Sequence, residues 1–316
     1  MNNFWKDKKI LITGGNGFLG RHLVNKLLQK GIKRENIFTP TFNECDLRKM
    51  ENCLRAVKGK DIVIHLAAVV GGIGFNRQHP GKCFFDNALM ALNIIEAARL
   101  EKVEKFIGIG SVCAYPKDNI RIPFKEEDLW NGYPEETNAP YGLAKRFMLV
   151  QSQAYRKEYG LNAIHLLMVN LYGPGDNFNP DTSHVIPALI RKVDEAKKQG
   201  RKYIEAWGTG KPTREFFYVE DAAEGIILAA EKYNKAEPVN LGSGKEISIK
   251  DLAELICKLM GFKGEIRWDT SKPDGQPRRL FDHSRAEREF GFKAKTDFEQ
   301  GLKKTIEWYK DSLKRI

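Results

Sequence analysis

Cysteine is scarce and carries no pairing pattern. The 316-residue chain has 5 cysteines (Cys45, Cys53, Cys83, Cys113 and Cys257), an odd number with no CxxC spacing. That excludes a disulfide framework, offers no zinc-site pattern and points to a reducing compartment. Long apolar runs are missing too. The most apolar stretch, Ile62 to Phe75, is broken by His65, Gly71, Gly72 and Gly74, too short and too interrupted to span a bilayer. The opening MNNFWKDKKILITGG has no apolar segment ahead of a cleavage site, so a cytoplasmic location is expected. Acidic residues are in deficit: 41 Asp and Glu face 52 Lys and Arg, a net charge of +11, with 5 of that surplus after residue 190. Such a surplus suits nucleic acid or a polyanionic small molecule, and lysines scattered over solvated helix faces would produce the same number. Hydrophobic residues at 42% and charged residues at 29% are those of an ordinary globular protein. The length suits one large or two unequal domains.

What is present begins at the first apolar run. Lys9-Ile-Leu-Ile-Thr13 is followed at once by Gly14-Gly-Asn-Gly17-Phe-Leu-Gly20, and Leu19, Leu23, Val24, Leu27 and Leu28 then recur at helical spacing until Gly31. Strand, glycine turn and helix in that order suit a dinucleotide. The first glycine allows the tight turn, the second lets a diphosphate approach the backbone, and the third lets helix and strand pack closely. The helix N-terminus then offers free N–H groups to the phosphates. A strand-to-helix turn can also need glycine for geometry alone. NAD sites usually place a carboxylate at the end of the second strand and NADP sites an arginine nearby. The second strand is read as Asn36-Ile-Phe-Thr39, and neither stands at Thr39 to Phe42, which leaves Arg21 or Arg48 to meet a 2′-phosphate. Further strands, Asp61 to Ala67, Lys105 to Gly110 and Ala163 to Val169, alternate with helical segments at Asn87 to Leu100 and Tyr141 to Tyr159. This rhythm predicts an α/β fold with a doubly wound parallel sheet (Rossmann) and a smaller C-terminal α/β domain for substrate. No internal repeat or low-complexity segment interrupts it.

Ligands of such sheets bind outside the carboxyl ends of the strands. Ser111-Val-Cys113 follows the strand ending at Gly110, and Tyr141-Gly-Leu-Ala-Lys145 puts a phenol and an ammonium on one helix face. A phenol of pKa about 10 works near neutrality only if a cation stabilises its anion, which Lys145 and a nicotinamide cation could do. Ser111 would hold the same carbonyl oxygen. With 10 tyrosines in a lysine-rich chain, about one YxxxK arises by chance, so the order of glycine turn, serine and YxxxK carries the argument.

These residues resemble the extended short-chain dehydrogenase/reductases. Several stretches resemble a narrower group: Gly110-Ser-Val-Cys-Ala-Tyr-Pro116, Asn170-Leu-Tyr-Gly-Pro174, Asp176-Asn-Phe-Asn-Pro180, Ser183-His-Val-Ile-Pro-Ala-Leu189, Trp207-Gly-Thr-Gly210, Arg214-Glu-Phe216 and Lys272-Pro-Asp-Gly275. Together they resemble the GDP-L-fucose synthase family, the 3,5-epimerase/4-reductases of GDP-4-keto-6-deoxy-D-mannose, over nearly the whole chain. The resemblance implies NADP(H), with NAD(H) not excluded, and a GDP-linked 4-keto sugar. It implies catalysis by Ser111, Cys113, Tyr141, Lys145 and His184, with Cys113 removing the C3 and C5 protons and His184 returning one to the opposite face. Gly14, Gly17, Phe18, Leu19, Gly20, Ile109, Gly110, Lys145, Asn170 and Leu171 would line the cofactor. His184, Lys192, Trp207, Arg214 and Asp274 would contact the substrate, and a homodimer through the helices at Asn87 to Leu100 and Tyr141 to Tyr159 would follow.

Bland readings stand beside these roles. A cysteine near a strand end is usually a small buried hydrophobe, His184 could cap a helix, and Trp207 could be a core aromatic. The chain departs from the resemblance at Val112, where a serine is common, and at the second-strand end, which lacks arginine. A GDP-4-keto heptose is an alternative substrate. A 4,6-dehydratase would carry Thr-Asp-Glu in place of Ser111-Val-Cys113, and a 4-epimerase would need neither Cys113 nor His184. A non-catalytic RNA-binding or cofactor-sensing protein would be free to lose Tyr141 or Lys145. Two domains are expected: residues 1–174 with about 215–243 for the dinucleotide, and about 175–214 with 244–316 for the nucleotide sugar.

Overall fold

Runs rich in Ile, Leu and Val that are too short for helices become buried strands, and the amphipathic segments between them become the covering helices. The computed structural model describes residues 3–118 and 121–314. The chain begins β1 (Ile10–Thr13), α1 (Phe18–Gln29), β2 (Ile37–Phe38), α2 (Met50–Val57), β3 (Ile62–His65), α3 (Ile73–Gln78) and α4 (Pro80–Leu100). It continues β4 (Lys105–Ser111), α5 (Ala139–Tyr159), β5 (Ala163–Met168), β6 (Asn170–Tyr172), α6 (Val185–Lys198), β7 (Tyr203–Trp207) and β8 (Thr213–Tyr218). The last elements are α7 (Val219–Lys232), β9 (Val239–Leu241), β10 (Glu246–Ser248), α8 (Ile249–Met260), β11 (Glu265–Asp269), β12 (Arg278–Arg279), α9 (Ser284–Phe290) and α10 (Phe298–Leu313).

The expected doubly wound sheet is present. Six parallel strands lie in the order β2-β1-β3-β4-β5-β9. Successive strand residues face opposite sides. Ile10, Ile12, Ile62 and Ile64 pack with Leu23 and Leu27 of α1 and Ile226 and Ile227 of α7, while Leu11 and Val63 pack with Ile94 and Ile95 of α4 and Met148 of α5. The strand order reverses between β1 and β3, so a crevice opens beyond their carboxyl ends.

Two elements differ from their sequence reading. β2 keeps only Ile37 and Phe38, because it is an edge strand with Phe38 exposed and Pro40 just beyond. α4 starts at Pro80 rather than Asn87, since the exposed Phe84 and Phe85 obscure the apolar stripe of its first turns while Pro80 suits the helix start.

After β5 the chain passes through Val169 straight into β6, which pairs with β8 of a second, four-stranded sheet. There β8 also pairs with β10 and β12, while β7 and β11 form a separate parallel pair. A third core, with Tyr172, Ile190, Phe216, Leu252 and Ile306, fills this smaller lobe. Fully buried Glu215 of β8 ties it together, its carboxylate accepting from the N–H groups of Ser243 (2.6 Å), Gly244 (2.7 Å) and Phe281 (2.9 Å). Asn170 and Leu171 therefore lie at the seam between the two lobes.

Candidate active site

The glycine turn has the backbone geometry of a cradle. Gly14 has φ +70, and a Cβ on Gly20 would stand 2.3 Å from the Gly14 carbonyl oxygen, so the first turn of α1 can lie this close only without a side chain. Gly17 is the N-cap of α1 and supplies no side-chain cap, which leaves the first N–H groups free for an anion. They open onto a cavity of about 820 Å³ lined by Gly14, Gly17, Phe18, Leu19 and Gly20, and further in by Ile109, Gly110, Ser111, Tyr141, Lys145, Asn170 and Leu171. A cavity of this volume that includes a phosphate cradle fits a dinucleotide. Of the two arginines singled out, Arg48 lines this cavity, above the Phe42 ring and paired with Asp46 (2.9 Å) and Asp86 (3.3 Å). Arg21 is not among the lining residues.

At the middle of the cavity, β4 delivers Ser111, whose Oγ accepts from the Cys113 N–H at 3.2 Å. Gly142, beside Tyr141, is what brings α5 against this segment: a Cβ there would stand 2.1 Å from the Cys113 carbonyl oxygen. Arg146, one turn on, donates from Nε to the Ala114 carbonyl at 2.6 Å and from Nη1 to that of Gly132 at 3.0 Å. Lys145 and Tyr141 meet as the helical spacing predicts, with Nζ 5.6 Å from the ring centre. The expected lowering of the phenol is not what the structure shows. Burial drives Tyr141 well above the usual tyrosine range, and the Cys113 and Cys83 thiols add to it. Burial also pulls Lys145 down to about 8. Desolvation outweighs the lysine, and Tyr141 stands protonated, ready to donate.

Beneath Lys145 runs a polar row that the sequence reading assigned no part. Thr13, His65, Gly108 and His165 lie side by side in register across β1, β3, β4 and β5. Thr13 Oγ1 meets His65 Nδ1 at 2.8 Å, and both imidazoles are buried and pulled down to about 3, chiefly by burial and partly by the Lys145 charge. Both are neutral.

A second cavity, of about 350 Å³, brings together His184, Lys192, Trp207, Arg214 and Asp274 from α6, β7, β8 and the loop before β12. Lys192 donates to the Glu205 carbonyl at 2.8 Å, and its Nζ stands 5.7 Å from the Trp207 ring centre, as does that of Lys272. Trp207 is 54% exposed, so it is no core aromatic. Asp274 accepts from the Thr209 N–H and hydroxyl, both at 2.7 Å, and its carbonyl accepts from Arg214 at 3.3 Å. His184 occupies the N-cap position of α6 but its side chain caps nothing. Its ring opens to the cavity, and the surrounding protein lowers its pKa by desolvation. The remaining histidines lie elsewhere in function: His22 bonds the Pro174 carbonyl and His283 sits 3.0 Å from Glu215.

Cys113, Asn138, Asn170, Leu171 and His184 line both cavities. A molecule in the second cavity therefore meets the thiol and the imidazole where it meets a ligand of the first. Sequence reasoning missed Asn138, which accepts from Asn76 at 3.2 Å beside the thiol, and Arg279, 3.7 Å from Cys113 Sγ. No local pattern singles out either one.

Residues 10–242 match the NAD dependent epimerase/dehydratase family. The chain belongs to it. Within this NAD dependent epimerase/dehydratase family, the chain is 39% identical to a probable GDP-L-fucose synthase 1 of Oryza sativa subsp. japonica, over 98% of this chain and 95% of that one. Among solved structures it is similar to a GDP-6-OMe-4-keto-L-xylo-heptose reductase from C. jejuni, with TM-score 0.90, 30% identity, and 96% and 98% of the two chains covered. A GDP-L-fucose synthetase from Naegleria fowleri bound to NADP has TM-score 0.87 and 31% identity, over 98% of this chain and 95% of that one.

Proposed function

We propose that this chain is a GDP-sugar 3,5-epimerase/4-reductase that makes GDP-L-fucose from GDP-4-keto-6-deoxy-D-mannose with NADPH. The observation that carries the reading is the junction of the two cavities at Cys113 and His184, beside Ser111, Tyr141 and Lys145. The C3 and C5 protons of such a sugar are acidic because C4 is a ketone. Cys113 takes the C3 and then the C5 proton as a base, His184 returns one from the opposite face at each carbon, and both groups exchange protons with solvent between the two steps. Ser111 and Tyr141 hold the C4 oxygen while charge builds on it. Tyr141, protonated by its burial, then gives its proton to that oxygen, and Lys145 supports the phenolate left behind. When bound, NADPH supplies the hydride that reduces C4. Gly14, Gly17, Phe18, Leu19 and Gly20 would hold its diphosphate, and Ile109, Gly110, Lys145, Asn170 and Leu171 would line the rest. Arg48 is the guanidinium available to a 2′-phosphate. Lys192, Arg214 and Asp274 would hold the GDP-sugar beside Trp207, the cations suited to its diphosphate.

In the same reading residues 1–174 with about 215–243 would hold the dinucleotide and about 175–214 with 244–316 the sugar nucleotide, with β6 and β8 crossing into the second sheet at the seam. The place of β9 in the large sheet, with α7 packed on α1, supports it. A homodimer through α4 and α5 is supported by Phe84, Phe85, Leu92, Phe147, Val150 and Tyr159, all exposed on those two helices. A cytoplasmic location is supported by five free cysteines. Among the described residues no helix is long and apolar enough to cross a membrane.

The likeness to the C. jejuni heptose reductase supports a second reading, a GDP-6-deoxy-4-keto-heptose as substrate. One incubation separates the two. With GDP-4-keto-6-deoxy-D-mannose and NADPH in deuterated water, the hexose reading expects loss of absorbance at 340 nm and two solvent deuterons in the product. Deuterium uptake without NADPH loss, persisting with NADH, would reduce the enzyme to an epimerase. Neither signal, with turnover of the heptose analogue, would replace the hexose by the heptose.

A further inference from the structure

A thiol acts as a base only as its anion, and an anion in a half-buried site needs a cation held against it. The chain places one there from 166 residues away. Arg279 of β12 donates from Nη1 toward Cys113 Sγ at 3.7 Å. Its Nε donates to Gln276 Oε1 at 2.6 Å, and Gln276 Nε2 donates in turn to the carbonyls of Pro116 (3.2 Å) and Lys117 (3.1 Å). The contacts close a ring: Cys113, the segment that follows it, Gln276, Arg279 and back to the sulfur. Arg279 is 7% exposed and Gln276 6%, so both sit largely out of bulk water, while Cys113 stays partly open to the two cavities.

The balance of charge points the same way. A buried guanidinium is held by a partner of opposite charge or it destabilises the fold. Arg279 forms no ion pair with a carboxylate among the described residues. Glu135 feels its field without pairing with it: Oε2 accepts from the Thr137 hydroxyl and the Asn138 amide at 2.6 Å each, and Oε1 from the Thr137 N–H at 3.2 Å. Arg214 stands in register with Arg279 on the neighbouring strand and adds a second positive charge near the sulfur. Among the described residues, Cys113 is the group in contact with Arg279 that can become an anion.

We propose that Arg279 is a positioning residue that pairs with the Cys113 sulfur whenever it is an anion and aims it at the substrate. The S–H proton leaves to solvent, and the bare sulfur then takes the substrate proton and becomes S–H again. The catalytic half of this inference rests on the function proposed above, while the pairing of sulfur and guanidinium does not.

The test measures the thiolate directly and without substrate. Cys45, Cys53, Cys83 and Cys257 are buried, so iodoacetamide on the native protein reports Cys113, with Cys113→Ser as the blank. Arg279→Gln is expected to slow alkylation at neutral pH about tenfold and to move the rise of the rate toward higher pH. Arg279→Lys, which keeps the charge without the planar fork, is expected to recover part of the loss, and it decides the matter if the glutamine variant fails to fold. Deuterium uptake into GDP-4-keto-6-deoxy-D-mannose should fall by the same factor. Wild-type alkylation rates and pH profiles in the folded variants would overturn the proposal. The expected alkylation change with no deuterium uptake by the wild-type enzyme, on hexose or heptose, would instead overturn the function and leave the Arg279 assignment standing.

Discussion

At the scale of single residues, burial decides protonation. Tyr141 and Lys145 share a helix face, yet it is the dry interior that sets both: the phenol keeps its proton and the ammonium is drawn toward neutrality. His65 and His165 obey the same rule, held at about 3 where an ordinary histidine titrates at 6.5. The unfolded chain therefore binds protons between those values that the native fold refuses. Stability from this pair is fully present above 6.5 and is lost as the pH falls toward 3. His165 finds no hydrogen-bond partner for either ring nitrogen among the described residues, so replacing it breaks no such bond. A His165→Leu variant should lose less of its melting temperature than the wild type on going from about pH 7 to about pH 5, as thermal melts at both would read. An equal or greater loss would show that other groups govern the acid limb.

At the scale of elements, the site depends on how close α5 comes to the end of β4. Gly142 sets that distance, because its missing side chain leaves room for the Cys113 carbonyl. Gly142→Ala should therefore do two things at once. Pushing the helix away from a packed backbone should cost about 1–3 kcal/mol, read as a lower melting temperature. The same shift parts Tyr141 from Ser111 and Cys113, and a displacement of about 1 Å can cost about a hundredfold in rate. A variant that melts as the wild type and turns over as fast would show that α5 has slack to give.

For the whole molecule, the smaller lobe would complete the proposed reaction centre that the large sheet only begins. Ser111, Cys113, Tyr141 and Lys145 come from β4, α5 and their connection, whereas His184, Arg214 and Arg279 come from α6, β8 and β12. The helices α4 and α5, which cover the large sheet on one side, leave Phe85 61% and Val150 49% exposed on the other. If a second copy covers this face, Phe85→Asp with Val150→Asp should convert the dimer to a monomer in sedimentation or light scattering. A wild-type chain that is already monomeric at micromolar concentration would remove the dimer from the proposal.

Much of this was legible along the chain. Strand and helix identity come from the spacing of apolar residues, and the glycine turn and the Tyr141–Lys145 pair are local, so a stretch of a few turns carries their signal. The resemblance added Cys113 and His184, and the cavities contain both. The start of α4 was misplaced because exposed phenylalanines look like core in one dimension. What only the tertiary structure decided is long-range: that the two cavities share Cys113 and His184, that Tyr141 is held protonated, and that Arg279 reaches the sulfur. Sequence periodicity records which face a residue occupies. Desolvation and contact across 166 residues depend on strand register and lobe packing, which no local pattern encodes.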